Sequence, residues 1–186
     1  MIRIMKPAQL GAMAVGMVLG AGLFVTPAIA AEKHTVNAFA AYEGKGKIYL
    51  TSENTGTFVG AIDGQLFVES KKGPRHVGRI ICPAMVQINL KTGKQAGSGQ
   101  CMIIAEDRTK IFGVWSCSGV HSIGCDGRLM LTGGTGRASG VTGSGPISIR
   151  TTSRGHVKVS SDKSSIAKFG KGILVLYNFT YENPSQ

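Results

Sequence analysis

The chain has 186 residues, with 21 Lys and Arg against 10 Asp and Glu, 27 Gly and four Cys. Aperiodic glycines exclude a collagen-like fibre, and a hydrophobic share of 42% excludes a disordered polyelectrolyte. The length excludes several large domains.

Arg3 and Lys6 are the charges that precede Glu32. Between them, the uncharged apolar run Leu10–Val25 has the length of a signal-peptide core and falls short of a membrane span of ~20 residues. Pro27 then breaks any helix, and Ala28-Ile29-Ala30 supplies the small-x-small pattern of a cleavage site. The expectation is a signal peptide over 1–30 and one domain over 31–186, periplasmic or secreted, with no transmembrane span after cleavage. An uncleaved N-terminal anchor is the alternative. Without the leader's two cations, 19 Lys and Arg face 10 acids, a net charge of +9.

Beyond the leader, helical periodicity is nearly absent. Short β-branched and apolar runs recur between Gly, Asn, Asp and Ser punctuation. They predict strands over 35–42, 46–51, 57–69, 77–90, 99–106, 110–117, 125–132, 139–151, 155–160 and 171–181. Ser161–Phe169 reads as a short helix or loop. Turn signals spaced by 8–12 residues point to an all-β sandwich or barrel. The short connections favour a meander of sequential antiparallel neighbours. On 99–106 the alternation puts Cys101, Ile103 and Ala105 on one face and Gln100, Met102, Ile104 and Glu106 on the other.

An exported chain meets an oxidising compartment, so its four cysteines are expected to pair. Cys82 and Cys101 flank the Lys91–Lys94 turn at similar distances, and Cys117 and Cys125 flank a loop holding His121. Opposed residues of antiparallel strands lie within disulfide reach. The predicted bonds are Cys82–Cys101 and Cys117–Cys125. A metal site on Cys117, His121 and Cys125 is the competing reading, but the paired C-x-x-C knuckles of such sites are missing. No metal and no cofactor are expected.

The most distinctive stretch is the glycine-rich run from Leu131 to Gly145, with Gly133, Gly134, Gly136, Gly140 and Gly143. A phosphate-binding loop would need a helix after it, whereas β-type alternation resumes at Val141. These glycines instead predict a tight hairpin with positive φ and room for strands to bend around a barrel. Gly133-Gly134-Thr135-Gly136-Arg137-Ala138-Ser139-Gly140 resembles the hairpin of the allene oxide cyclase and dirigent barrel superfamily. Together with Trp115-Ser116-Cys117 and Gly124-Cys125-Asp126-Gly127, it is similar to small exported bacterial proteins of unknown function. The resemblance implies a single closed antiparallel barrel of about eight strands. It carries over no catalytic position, and Ala138 stands where the plant pattern has Phe.

His34, His76, His121 and His156 are scattered, and no nucleophile, zinc or paired-carboxylate motif is present. Trp115 is a candidate for lining a ligand pocket at the barrel mouth; packed core beside a disulfide is the alternative. Glu69, Arg79 and Glu106 lie in predicted strands and are candidate ligand anchors, with plain solvent exposure as their alternative. The basic balance suits anionic partners such as a lipid headgroup surface or an acidic polymer. Nucleic acid is not expected, because the aromatics do not interleave with the basic residues as stacking platforms. The resulting expectation is an exported, disulfide-stapled barrel that binds a small apolar or anionic envelope ligand without catalysis. The alternatives are a cyclase or isomerase acting in the lumen, and a structural or assembly protein of the envelope, as a homo-oligomer.

Overall fold

The computed structural model describes residues 32–154, 158–159 and 165–184. The predicted leader lies outside the described residues, as do residues 155–157 and 160–164. No helix among the described residues is long and apolar enough to cross a membrane.

The strands are β1 (Lys33–Ser52), β2 (Thr55–Val68), β3 (Arg75–Asn89), β4 (Lys94–Ala105), β5 (Lys110–Val120), β6 (Gly124–Gly134), β7 (Thr142–Arg154), β8 (Lys158–Val159) and β9 (Ser165–Glu182). Each of β1 to β6 pairs antiparallel with the next, and β9 pairs with both β7 and β1. The β1–β9 seam, with Phe39 opposite Val175 and Tyr42 opposite Gly172, closes eight strands into a barrel. The two-residue β8 pairs with β9 alone and stands outside that ring. Closure removes the unpaired edges that an open sheet of this length would expose.

Two predicted boundaries are corrected. The strands 35–42 and 46–51 are one, because Glu43-Gly44-Lys45 is strand interior rather than a turn. Glu43 and Lys45 point outward, and Lys171 of β9 pairs with Glu43 at 3.1 Å. At Gly46 the Phe58 ring lies where a side chain would go, 2.4 Å from the position of a Cβ. Ser165–Phe169 begins β9 instead of forming a helix or loop. Its place is set across the seam, with Ile166 opposite Ile48 and Ala167 opposite Lys47.

Both disulfides form as expected, and their sulfurs sit inside the barrel. Cys82 and Cys101 face each other with Cα atoms 4.1 Å apart. Cys117 and Cys125 are diagonal rather than opposed: Gly127 lies across from Cys117 and Gly119 across from Cys125. A Cβ on Gly127 would stand 2.8 Å from the Cys117 Cβ and 1.9 Å from the Ser116 carbonyl oxygen. The diagonal bond therefore depends on a bare backbone opposite each cysteine. The thiols that a metal site would have needed are spent on each other.

The glycine-rich hairpin is longer than a tight turn. Between β6 and β7 the chain makes one turn of 3-10 helix, Gly136–Ala138, and Val141 precedes the strand. Gly133, Gly136 and Gly140 have φ of 143°, 56° and 76°, a region that favours glycine. Gly143 lets β7 pass the backbone of Tyr181, 2.7 Å from where its Cβ would lie.

Candidate functional site

Side chains alternate between lumen and solvent along the eight strands of the ring. At mid-height the lumen is filled by Ile80, Cys82, Trp115, Leu129 and Leu174, all buried. Open space remains at the two ends. The upper mouth is framed by the loops 69–74, 106–109 and 135–141. The lower mouth is framed by the turns 53–54, 90–93 and 121–123.

The upper mouth holds a cavity of about 350 Å³. Its walls are aliphatic and aromatic: Val36, Leu66 and Val77 on one side, Ile103, Ile111 and Leu131 on another, and Leu176, Phe179 and Tyr181 from β9. Ala138 and Val141, both buried, close it from the 3-10 connection. Polar groups are confined to the rim, where Arg75, Asp107, Thr109, Arg137 and Asn183 gather.

That rim is built by local bonds. The Thr109 amide donates to Asp107 Oδ1 at 3.1 Å, and the Thr109 hydroxyl to Oδ2 at 3.0 Å. The Arg137 Nε donates to the same Oδ2 at 2.8 Å. The Thr109 amide, and then the Arg137 guanidinium, hold the Asp107 carboxyl below the ordinary aspartate range. Buried Asn183 donates its amide to the Arg137 carbonyl at 2.8 Å and fixes the 3-10 turn from beneath. The Thr135 amide donates to the Lys110 carbonyl at 2.8 Å, tying the same loop to β5.

The lower mouth is smaller, with a cavity of about 130 Å³. Lys168 Nζ donates to His121 Nε2 at 2.8 Å and to the Ser122 hydroxyl at 3.0 Å. An ammonium can only donate, so Nε2 accepts and Nδ1 carries the ring proton toward Gln95 Oε1 at 3.3 Å. Gln95 in turn donates to the Gly124 carbonyl at 3.3 Å. Above this chain the Tyr42 side chain crosses β9 over Gly172 and donates to the Arg150 carbonyl on β7 at 3.3 Å. Burial pushes the Tyr42 phenol above its ordinary pKa, and a hydrogen bond with Thr151 opposes that shift.

Of the four residues singled out from the sequence as ligand anchors, Trp115 is the one that faces the lumen. It is 5% exposed, between Gly99 on β4 and Leu129 on β6, and it lines neither mouth. Its indole N–H has no hydrogen-bond partner among the described residues. Glu69, Arg79 and Glu106 all stand on the exterior. Glu69 lies in the exposed loop after β2. Arg79 forms a two-pronged pair with Asp63 on the outer wall, which lowers the Asp63 pKa. Glu106 bonds His76 Nδ1 at 3.0 Å, while His76 Nε2 meets Gln65 at 2.8 Å. These charges stand on the outer wall, where Arg79 lines a recess with Glu43, Lys45 and Asp63, and none of them lines either mouth of the lumen.

The sequence reading passed over Arg137 with Asp107, and Lys168 with His121. Each pair is distant along the chain, and no local spacing motif marks it.

No protein-family model matches the chain, and no curated protein matches it by sequence. Among solved structures, the chain is similar to the pterocarpan synthase dirigent protein GePTS1 at 10% identity and a TM-score of 0.32. The match covers 91% of this chain and 99% of that one.

Proposed function

We propose that the protein is an exported, non-catalytic binding barrel whose upper mouth takes a small apolar ligand with an acidic group. The observation that carries this reading is the cavity of about 350 Å³. It reaches the size range of small-molecule sites, which starts near ~300 Å³, and it joins apolar walls to a few polar groups. Arg75 and Arg137 at its rim give an acidic group two cations to meet. A ligand carboxylate would take the place of Asp107 on Arg137, exchanging one charge-assisted bond for another. Two disulfides favour an oxidising compartment, in keeping with the expected leader. The filled centre of the lumen speaks against a substrate threading the barrel.

The test is titration with 1-anilinonaphthalene-8-sulfonate, an apolar anion that fluoresces when it leaves water. The expected outcome is saturable one-to-one binding that Arg137→Ala weakens and Ala138→Phe abolishes. Absence of saturable binding, or binding indifferent to both substitutions, would sink the proposal. The variants matter because the probe also adheres to exposed apolar surface elsewhere on the molecule.

A further inference from the structure

The two ends of the barrel differ in a way that the ligand site does not use. At the lower end, the second and third described hairpin turns carry a large exposed apolar side chain, and the strand entering the first turn carries another near its end. Leu50 precedes the β1–β2 turn at 49% exposure, Leu90 starts the β3–β4 turn at 45%, and Ile123 ends the β5–β6 turn at 60%. Val120, 42% exposed, adjoins Ile123. Ile123 is the most exposed large apolar side chain among the described residues. The upper loops present none; they carry Glu69, Lys71, Lys72, Glu106, Asp107 and Arg108.

These tips form one platform. The Leu90 amide donates to the Asn54 carbonyl at 2.9 Å, joining the first turn to the second. The His121 amide donates to the Gly93 carbonyl at 2.8 Å, joining the second to the third. The Thr151 amide reaches the Ile123 carbonyl at 2.9 Å and secures the third turn to β7. Side chains so held keep their exposure without the entropy cost of ordering a loose loop on contact.

Charge supplies the other half. Lys91 lies on the second turn, Lys94 begins β4 beside it, Lys47 is exposed on β1, and Lys168 lines the mouth. Among the described residues of the three turns, Glu53 is the single acid. Protruding apolar tips in a basic field match a bilayer with anionic headgroups, where apolar groups enter the acyl boundary and lysines meet phosphates. A protein partner would be better served by a broad complementary face than by separated tips.

We infer that the lower end of the barrel docks end-on to an anionic lipid surface, with Leu50, Leu90 and Ile123 inserted and Lys91 and Lys94 in the headgroup layer. The upper cavity then opens away from the membrane. The experiment is flotation of the full chain, processed by its own host, with vesicles of phosphatidylcholine containing about a quarter phosphatidylglycerol, and with vesicles of phosphatidylcholine alone. Partitioning onto the anionic vesicles is expected to exceed that onto the neutral ones by about tenfold or more. Leu90→Ser with Ile123→Ser is expected to reduce it by about tenfold, and Lys91→Ala with Lys94→Ala by a similar factor. Lys71→Ala with Lys72→Ala, at the opposite end, should leave it within about twofold. Near-UV circular dichroism of each variant establishes that the barrel is intact. Loss of binding in the upper-end variant equal to that in the lower-end ones would overturn the inference in favour of bulk charge. Failure of the wild type to float would overturn it as well. Tip-dependent self-association without lipid binding would overturn it by assigning the platform to a second copy.

Discussion

Ala138 is the position where one side chain decides whether the upper cavity exists, and Ala138→Phe is the perturbation that tests it. The methyl is buried and lines a void of about 350 Å³. A phenyl ring occupies a void on the order of 150 Å³, the size of an engineered cavity that takes up benzene. The substitution would leave roughly 200 Å³, below the ~300 Å³ at which small-molecule sites begin. Binding should therefore fall below detection. Stability should move the other way. A gain of roughly 100 Å² of buried apolar surface, at about 25 cal/mol per Å², is worth about 2.5 kcal/mol before strain and rotamer entropy. Those costs leave a net gain of about 1–2 kcal/mol. At about 2–4 °C per kcal/mol for a chain of this size, Tm should rise by roughly 2–8 °C. The assay pairs thermal unfolding by circular dichroism with the fluorescent-anion titration on the same samples. A variant that is folded and binds the probe as the wild type does would refute the reasoning, because the void would then not be the binding site. A folded variant with lowered Tm would show that the wall beside Ala138 is already packed.

Gly127→Ala should destabilise by about 1–3 kcal/mol in urea unfolding and slow formation of Cys117–Cys125, because its methyl meets the Ser116 carbonyl and Cys117; an unchanged urea midpoint would contradict the diagonal-bond argument. Replacing a cysteine pair by alanines should cost about 3 kcal/mol for Cys82–Cys101 and about 2.5 kcal/mol for Cys117–Cys125, from separations of 19 and 8 residues. Equal or reversed losses would count against loop closure as the main effect. Asp126 is held below the ordinary aspartate range by Ser148 and then Arg150. A depressed carboxylate stabilises the fold above its unfolded pKa and stops doing so as pH falls through its folded one. The stability difference between wild type and Asp126→Asn should thus be constant near neutrality and vanish in strong acid. A difference that persists at low pH would assign the effect to something other than the charge.

Much of the barrel was legible because its walls alternate. On β6, Cys125, Leu129 and Leu131 face in while Asp126, Arg128 and Met130 face out, and most of that period of two is visible in the letters. The same parity already set Glu106 opposite Cys101, and by extension put Arg79 opposite Cys82 on the outer wall. Strand charges at that parity therefore stand in solvent, away from the lumen. Glu43-Gly44-Lys45-Gly46 misled for a different reason: a glycine inside a strand, such as Gly46 beneath the Phe58 ring, looks in sequence like a turn. Ser165–Phe169 carries little intrinsic preference and is a strand because Ile48 and Lys47 wait across the seam. The upper site was hidden because its walls are ordinary core residues that happen to leave a gap. Volume is a property of the assembled barrel and of the small side chain at Ala138. Lys168 and His121 meet across 47 residues, a distance over which no local pattern can signal.

The inward-facing disulfides impose an order of events on biogenesis. Cys82, Cys101, Cys117 and Cys125 all belong to the contiguous meander β3–β6, and each is buried once the wall is complete. An oxidant must therefore reach them while the meander is still an open sheet, before β1, β2, β7 and β9 wrap around it and the β1–β9 seam zips. A chain that closes with its thiols reduced has sealed them from any oxidoreductase and has to reopen to be repaired. The same wall later shields the finished bonds from reductants. β9, whose seam with β1 completes the wall, is thus also the lock, and the interval before it engages is when the bonds have to form.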